Sequence, residues 1–395
     1  MRPRTRIPGQ RLLHSPGPTR VPDEVVSAMA RQPTDLADPR VAELVATCEA
    51  GLKALLMTER AEVFFYSANG HGGWEAVIAN LVGPGLSILV PGTGHFSDSW
   101  AEQVEAFGGR AVRTPYVEGM PIDPSAVEAA LRDDTRREIS AVFVVHTDTA
   151  SSTTCDLAAL RRAIDAAGHP ALFVVDVVAS LGAAPFEMDR LGVNVTIGAS
   201  QKGLMLQPGL AFVAADARAI EAAQRIPTPR FYWDWQRRRS EHSYRKFCGT
   251  PPLAHLAGLE AALALIAIEG LDNVHARHAR LAGAVQAAVG CWAEAGAMRL
   301  FTKPPVARSV SVTAIEVSPG IDPEALRTVA RERFQVAIAG GLGPLHGRVF
   351  RIGHLGDTNE AMILGCLAGV EAAMQVQGIP FGRHGVDAAI GSLTR

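Results

Sequence analysis

The chain has 395 residues, 48% of them hydrophobic and 20% charged, and its 38 basic and 40 acidic groups leave a formal net charge of −2. That length predicts about two to four domains with well-formed cores. The near-neutral balance excludes a basic nucleic-acid footprint and an electrostatic hold on an anionic membrane, and the apolar content excludes intrinsic disorder.

The N-terminus carries Arg2, Arg4, Arg6 and Arg11, but Pro3 and Pro8 interrupt it and no apolar run follows. It reads as a solvated arm over residues 1–20 rather than a signal peptide. The apolar helical run Ala261–Ile268 is far short of the ~20 residues that cross a bilayer. Cys48, Cys155, Cys248, Cys291 and Cys366 are odd in number and widely spread, with no CxxC and no zinc-site spacing. They argue for a reducing compartment, the cytoplasm, with neither a disulfide framework nor a metal site.

Glu62–Tyr66 predicts a strand, Ser67–Gly73 a glycine-rich loop and Trp74–Leu81 a helix. Ser87–Val90 is a short strand, followed by a loop and a helix over Ser99–Phe107. Ala141–Val145 and Ala171–Val175 are continuous apolar strands flanking an amphipathic helix at Ala158–Ala167. Val193–Ile197 and Leu210–Ala214 read as two more strands. Continuous apolar strands suit a sheet buried on both faces. Their alternation with helices predicts an α/β fold with a mostly parallel central sheet. In such sheets ligands bind outside the carboxyl ends of the strands.

The pattern changes after about residue 252. Leu253–Ile268 and Val274–Ala295 are Ala-rich helices with Gly270 between them as a C-cap. Strands at Ser309–Val317, Gln335–Ala339 and Val349–Ile352, with helices at Pro323–Phe334 and Asn359–Met374, predict a smaller α+β domain. The expected organisation is an arm over 1–20, a large domain over 21–271 and a small domain over 272–395.

Four features fall at predicted strand ends. Ala68–Gly73 turns into a helix N-terminus, whose N–H groups and positive dipole end make a phosphate cup. A tight turn with no ligand has the same glycine pattern. Asp176 closes an apolar strand and needs a cationic or hydrogen-bonding partner, unless it only caps the next segment. Lys202 follows the strand Val193–Ile197 among small residues, where burial would make it a nucleophilic amine; a surface lysine is the alternative. His146-Thr147-Asp148-Thr149 adds polar groups at the same edge, or forms a satisfied loop. One ligand accounts for all four: pyridoxal 5′-phosphate. Its phosphate meets the glycine turn, Asp176 pairs with the ring nitrogen and Lys202 forms the Schiff base.

The same residues carry a resemblance. Ser200-Gln201-Lys202-Gly203-Leu204-Met205-Leu206 with Pro208-Gly209-Leu210 resembles the cofactor-lysine segment of class V aminotransferases. The likeness extends to Ser15-Pro16-Gly17-Pro18-Thr19, Val175-Asp176 with Ala179-Ser180-Leu181-Gly182, Thr250-Pro251-Pro252 and Phe350–Asp357. The subgroup it resembles is the serine–glyoxylate and alanine–glyoxylate aminotransferases. This implies a fold-type I homodimer that moves an amino group from serine or alanine to glyoxylate or pyruvate. By resemblance Lys202 and Asp176 are catalytic, and Gly70, His71 and Gln201 line the phosphate site. Phe96 stacks on the cofactor ring, Thr149 lies near the ring oxygen, and Thr250 reaches the phosphate of the other subunit. Arg351 clamps the substrate carboxylate, and Gly17 approaches the substrate.

Thr147, Asp148 and Ser152 depart from the usual Asn/Gly-Glu-Thr/Ser-x-Thr-Gly-Val run after the histidine. Asp148 is one methylene shorter, and the loss of a glycine at Ser152 is expected to reshape the wall near the ring. Phe247 stands where relatives have Tyr, which removes a possible donor. The aromatic-basic stretch Tyr232, Trp233, Trp235 and Arg237–Arg239 is read as a surface or interface segment, or as part of the acceptor pocket. The alternatives kept are a lyase or desulfurase using the same cofactor, and a non-catalytic cofactor-binding protein.

Overall fold

The computed structural model describes residues 8–395, so the expectations for Arg2, Arg4 and Arg6 lie outside the described residues. The larger of its sheets has seven strands in the order Glu62–Tyr66, Ala211–Ala215, Val195–Ala199, Leu172–Asp176, Ile139–Val145, Ser87–Val90, Arg110–Arg113. All neighbours run parallel except Ala211–Ala215, which is antiparallel to both of its partners.

The continuous apolar strands divide residue by residue between two cores. Val63 and Phe65 face one, with Val142, Val144, Phe173 and Val175, against helices Pro39–Leu56, Leu157–Ala166 and Leu253–Glu269. Phe64 and Tyr66 face the other, with Phe143, Val145, Val174 and Ile197, against Gly70–Leu81, His95–Ala106 and Ala217–Gln224. Alternate side chains point to opposite faces of a strand, so a sheet covered on both sides needs apolar residues at every position.

Helices Leu253–Glu269 and Leu271–Trp292 meet at Gly270 with an 84° bend. Beyond it, a five-stranded sheet runs in the order Leu12–His14, Val336–Gly340, Val349–Gly353, Val312–Val317, Met298–Leu300. Its own core joins the helices Leu271–Trp292, Pro323–Arg333 and Glu360–Gln377. The expected solvated arm therefore needs correction in part. Leu12–His14 pairs parallel with Val336–Ile338, and His14 Nδ1 lies 3.0 Å from the Gly353 carbonyl oxygen. The arm is tied to the second sheet and then passes back toward Lys202.

Two helix starts also differ from expectation. The glycine-rich segment is not all loop: Gly70–Leu81 is helical, and the Asn69 side chain caps it by accepting from Gly72 N–H. The next helix begins at His95, which puts Phe96 in its first turn.

Candidate active site

The parallel register aligns the carboxyl ends of the central strands, with Val145 opposite Asp176 and Asp176 opposite Ile197. The segments leaving these ends enclose a cavity of about 190 Å³. Its walls include Asn69, Gly70, His71, Trp74, Phe96, Thr147, Thr149, Asp176, Gln201 and Lys202. Seven of the expected site residues thus share one cavity: Gly70, His71, Phe96, Thr149, Asp176, Gln201 and Lys202.

Asp176 is 5% exposed and held at both oxygens. Trp74 Nε1 donates to Oδ2 at 2.9 Å, and Val178 N–H donates to Oδ1 at 2.6 Å. Burial pushes its carboxyl up to about 6, against the pull of those donors and of Lys202. A cation brought into this cavity would favour the charged form. No local pattern points to Trp74 as Asp176's partner, because the bond between them spans 102 residues.

Lys202 sits across the cavity on the segment after Val195–Ala199. Its Nζ donates to the Pro16 carbonyl. Thr19 fixes the backbone behind it, donating its N–H to Gln201 O at 3.2 Å and its hydroxyl to Lys202 O at 3.1 Å. Burial first, and then the nearby Arg351 charge, hold the Lys202 amine down at about 8, while Asp176 opposes them. A neutral amine is the nucleophilic form.

Arg351 arrives from the second sheet and is 5% exposed. Its Nε donates to Gly340 O and its Nη1 to Thr149 O, both at 2.7 Å. Burial lowers the guanidinium to about 10, partly offset by Asp148. Nη2 has no protein acceptor among the described residues.

At the glycine turn, Asn69 takes the Gly72 N–H, and the N–H groups of Gly70 and His71 at the start of the helix Gly70–Leu81 have no carbonyl behind them. The Gln201 side-chain oxygen is buried with no partner. Because the amide can turn over, the same site can offer its NH2 as a donor. Thr250 is not brought to this cavity by its own chain. It is exposed on a separate groove of about 630 Å³ lined by Arg31, Arg40 and Glu260.

The departures resolve individually. Asp148 is fully buried and accepts from Thr93 Oγ1, Phe96 N and Ala150 N. Ser152 keeps the backbone of a glycine, with φ +57°, and its hydroxyl lies 3.1 Å from Thr302 Oγ1. Phe247 stacks on Phe65 in the core at 5.9 Å, so its ring faces packing rather than a ligand. The aromatic-basic stretch is divided: Arg237 and Arg239 are exposed, while Trp235 and Arg238 turn inward. Trp235 is fully buried against Phe64, and Arg238 is buried over the rings of Tyr66 and Tyr232. A guanidinium stacked on aromatics and bonded to the carbonyls of Tyr232, Phe65 and Lys246 is core architecture.

The family model for class V aminotransferases matches residues 11–346. The chain belongs to the class V aminotransferases. It is 38% identical over 373 residues to an L-aspartate–glyoxylate aminotransferase of Paracoccus denitrificans, covering 94% of this chain and 93% of that one. It is also 38% identical over 380 residues to a serine–glyoxylate aminotransferase of Methylorubrum extorquens, covering 95% and 94%. Its fold matches the crystal structure of pyridoxamine–pyruvate aminotransferase from Mesorhizobium loti with TM-score 0.89 and 25% identity, over 99% of both chains.

This class V aminotransferase is an enzyme of fold type I, and its cofactor is pyridoxal phosphate. The site fits that group: a buried carboxylate for a ring cation, a depressed lysine amine for an aldehyde, and a helix N-terminus for a phosphate. Among the described residues, no group of three His, Cys, Asp or Glu side chains is arranged to hold a metal, and no single helix is long and apolar enough to cross a membrane.

Proposed function

We propose that the chain transfers the amino group of a small amino acid, serine or alanine, to a small 2-oxo acid, glyoxylate or pyruvate. The observation that carries this reading is the pairing of Lys202, its amine lowered by burial, with a buried Asp176 in one cavity, with Arg351 bound to the carbonyl of Thr149 in its wall. Relatives named for serine–glyoxylate and aspartate–glyoxylate transfer support glyoxylate as acceptor and add aspartate to the donors worth testing.

Pyridoxal phosphate, when bound, supplies the electron sink that acidifies the substrate Cα–H bond. Asp176 keeps the ring nitrogen protonated. Gly70, His71 and Gln201 hold the phosphate, and Phe96 and Thr149 fix the ring. Lys202 would hold the cofactor's aldehyde carbon, and its free amine would be placed to take up and give back the proton of the substrate Cα. Arg351 is pre-set by the Gly340 and Thr149 carbonyls, which leave Nη2 and the second Nη1 hydrogen as a fork for the substrate carboxylate. That grip aligns the Cα–H bond for transfer. Gly17 closes over Lys202 from the arm.

We further infer a cytoplasmic homodimer in which Thr250 reaches the partner's phosphate site. The exposure of Thr250 away from its own cavity supports that arrangement. Light scattering on the purified protein tests the dimer, and a monomer at working concentration would remove it. A donor–acceptor screen read by cofactor absorbance tests the reaction; ammonia release without an acceptor would favour elimination instead. No cysteine among the described residues lines the cavity, which does not support a desulfurase reading.

A further inference from the structure

Asp148 is fully buried and lies within salt-bridge distance of no cation among the described residues. A buried carboxylate is costly unless its oxygens are fully engaged. Here they are. Oδ2 accepts from Phe96 N–H at 2.9 Å and from Thr93 Oγ1 at 3.2 Å, and Oδ1 accepts from Ala150 N–H at 2.9 Å.

These donors belong to two separate segments of the cavity wall. Thr93 and Phe96 lead into the helix His95–Ala106, whose N-cap position is Gly94 and offers no capping side chain. Asp148 supplies the missing cap from a distant strand end, against the positive end of that helix. Gly94 has φ +134°, and a β-carbon there would lie 3.3 Å from Asp148 Oδ2, so the carboxylate and this turn are fitted to each other. Ala150, on the other side, belongs to the turn that carries Thr149. The Thr149 carbonyl is the acceptor that Arg351 Nη1 grips at 2.7 Å. Ser151 reinforces the joint by donating its hydroxyl to Thr93 O at 2.9 Å.

We propose that Asp148 is a positioning residue that sets Phe96 against the cofactor ring and, through the Thr149 turn, aims Arg351 at the substrate carboxylate. This rests on the transaminase reading of the cavity. Three donors require two accepting oxygens. Asn offers one, and its amide hydrogens would oppose a backbone N–H. Glu keeps both oxygens.

The test compares wild type with Asp148→Asn and Asp148→Glu. Two quantities are read: the dissociation constant of pyridoxamine phosphate, from quenching of tryptophan fluorescence, and the KM of the amino donor. Asp148→Asn is expected to raise both by about tenfold, the size of one lost bond to a charged acceptor, and Asp148→Glu to recover most of the loss. An Asp148→Asn protein that melts lower but keeps both values overturns the proposal, because the carboxylate then serves the fold alone. If Asp148→Asn does not fold, Thr93→Val removes a single bond with little change of shape. It is expected to raise both values about two- to fivefold, and unchanged values overturn the proposal. Failure of the transaminase reading looks different: wild type then shows no donor turnover, while cofactor binding still reports on Asp148.

Discussion

Gly17 and Lys202 occupy interlocking space. A β-carbon at position 17 would fall inside the van der Waals surface of Lys202 Cδ, Cε and Nζ, and Gly17 has φ +123°, where L side chains are strained. The arm is thus shaped around the lysine. Gly17→Ala is expected to displace Lys202 and lower kcat on the order of 100-fold, as a misplaced reacting group does. Steady-state kinetics with a saturating donor checks this.

The Lys202 amine makes the cofactor-free protein sensitive to alkaline pH in a definite direction. Its folded value is about 8 against an ordinary 10.5. Between those values the unfolded chain still binds the proton that the folded chain has released, so stability from this group rises with pH across that window. Below about 8 the penalty of a buried ammonium is fully present. Lys202→Met should flatten that rise, as measured by urea unfolding of the cofactor-free protein at pH 7.5 and 9.5.

Asp176 acts in the acid range with the opposite slope. Its folded value is about 6 against an ordinary 3.8. Between these the folded chain holds a proton that the unfolded chain has lost, so its contribution to stability falls as pH rises. Relative to cofactor-free wild type, Asp176→Asn should therefore gain stability from pH 4 to pH 6.5 while losing transaminase activity. Paired thermal melts across that range check the sign.

Ser152 balances two terms. Its left-handed backbone costs about 1 kcal/mol or more, and its hydroxyl bond to Thr302 returns about as much. Ser152→Gly should stay within about 1 kcal/mol of wild type. Ser152→Val loses the bond and adds a β-branched residue at positive φ, and should cost about 2–4 kcal/mol in denaturant unfolding.

The sheet was legible because burial on both faces writes an unbroken apolar run such as Val142–Val145. Asp176 was legible because it closes such a run, and Lys202 because it follows a strand end among small residues. The rest depended on contacts between distant segments. Trp74 reads as a helix core residue until its indole is seen on Asp176. Leu12–His14 is too short to announce a strand, and only Val336–Ile338 makes it one. Arg238 looked like part of a basic surface run, yet aromatic rings and three carbonyls take it into the core. Phe247 reads as a missing donor when only the motif is seen, and as a stacking partner once Phe65 is placed beside it.

The most direct test of the account is the donor half-reaction. Purified protein loaded with pyridoxal phosphate is mixed with serine, alanine or aspartate and no acceptor. At least one donor should move the absorbance from about 420 nm to about 330 nm as the cofactor takes up the amino group, and glyoxylate should restore it. Lys202→Ala should show no turnover. If no small L-amino acid shifts the absorbance of the fully loaded protein, the account of Lys202, Asp176 and Arg351 as a transaminase site is contradicted.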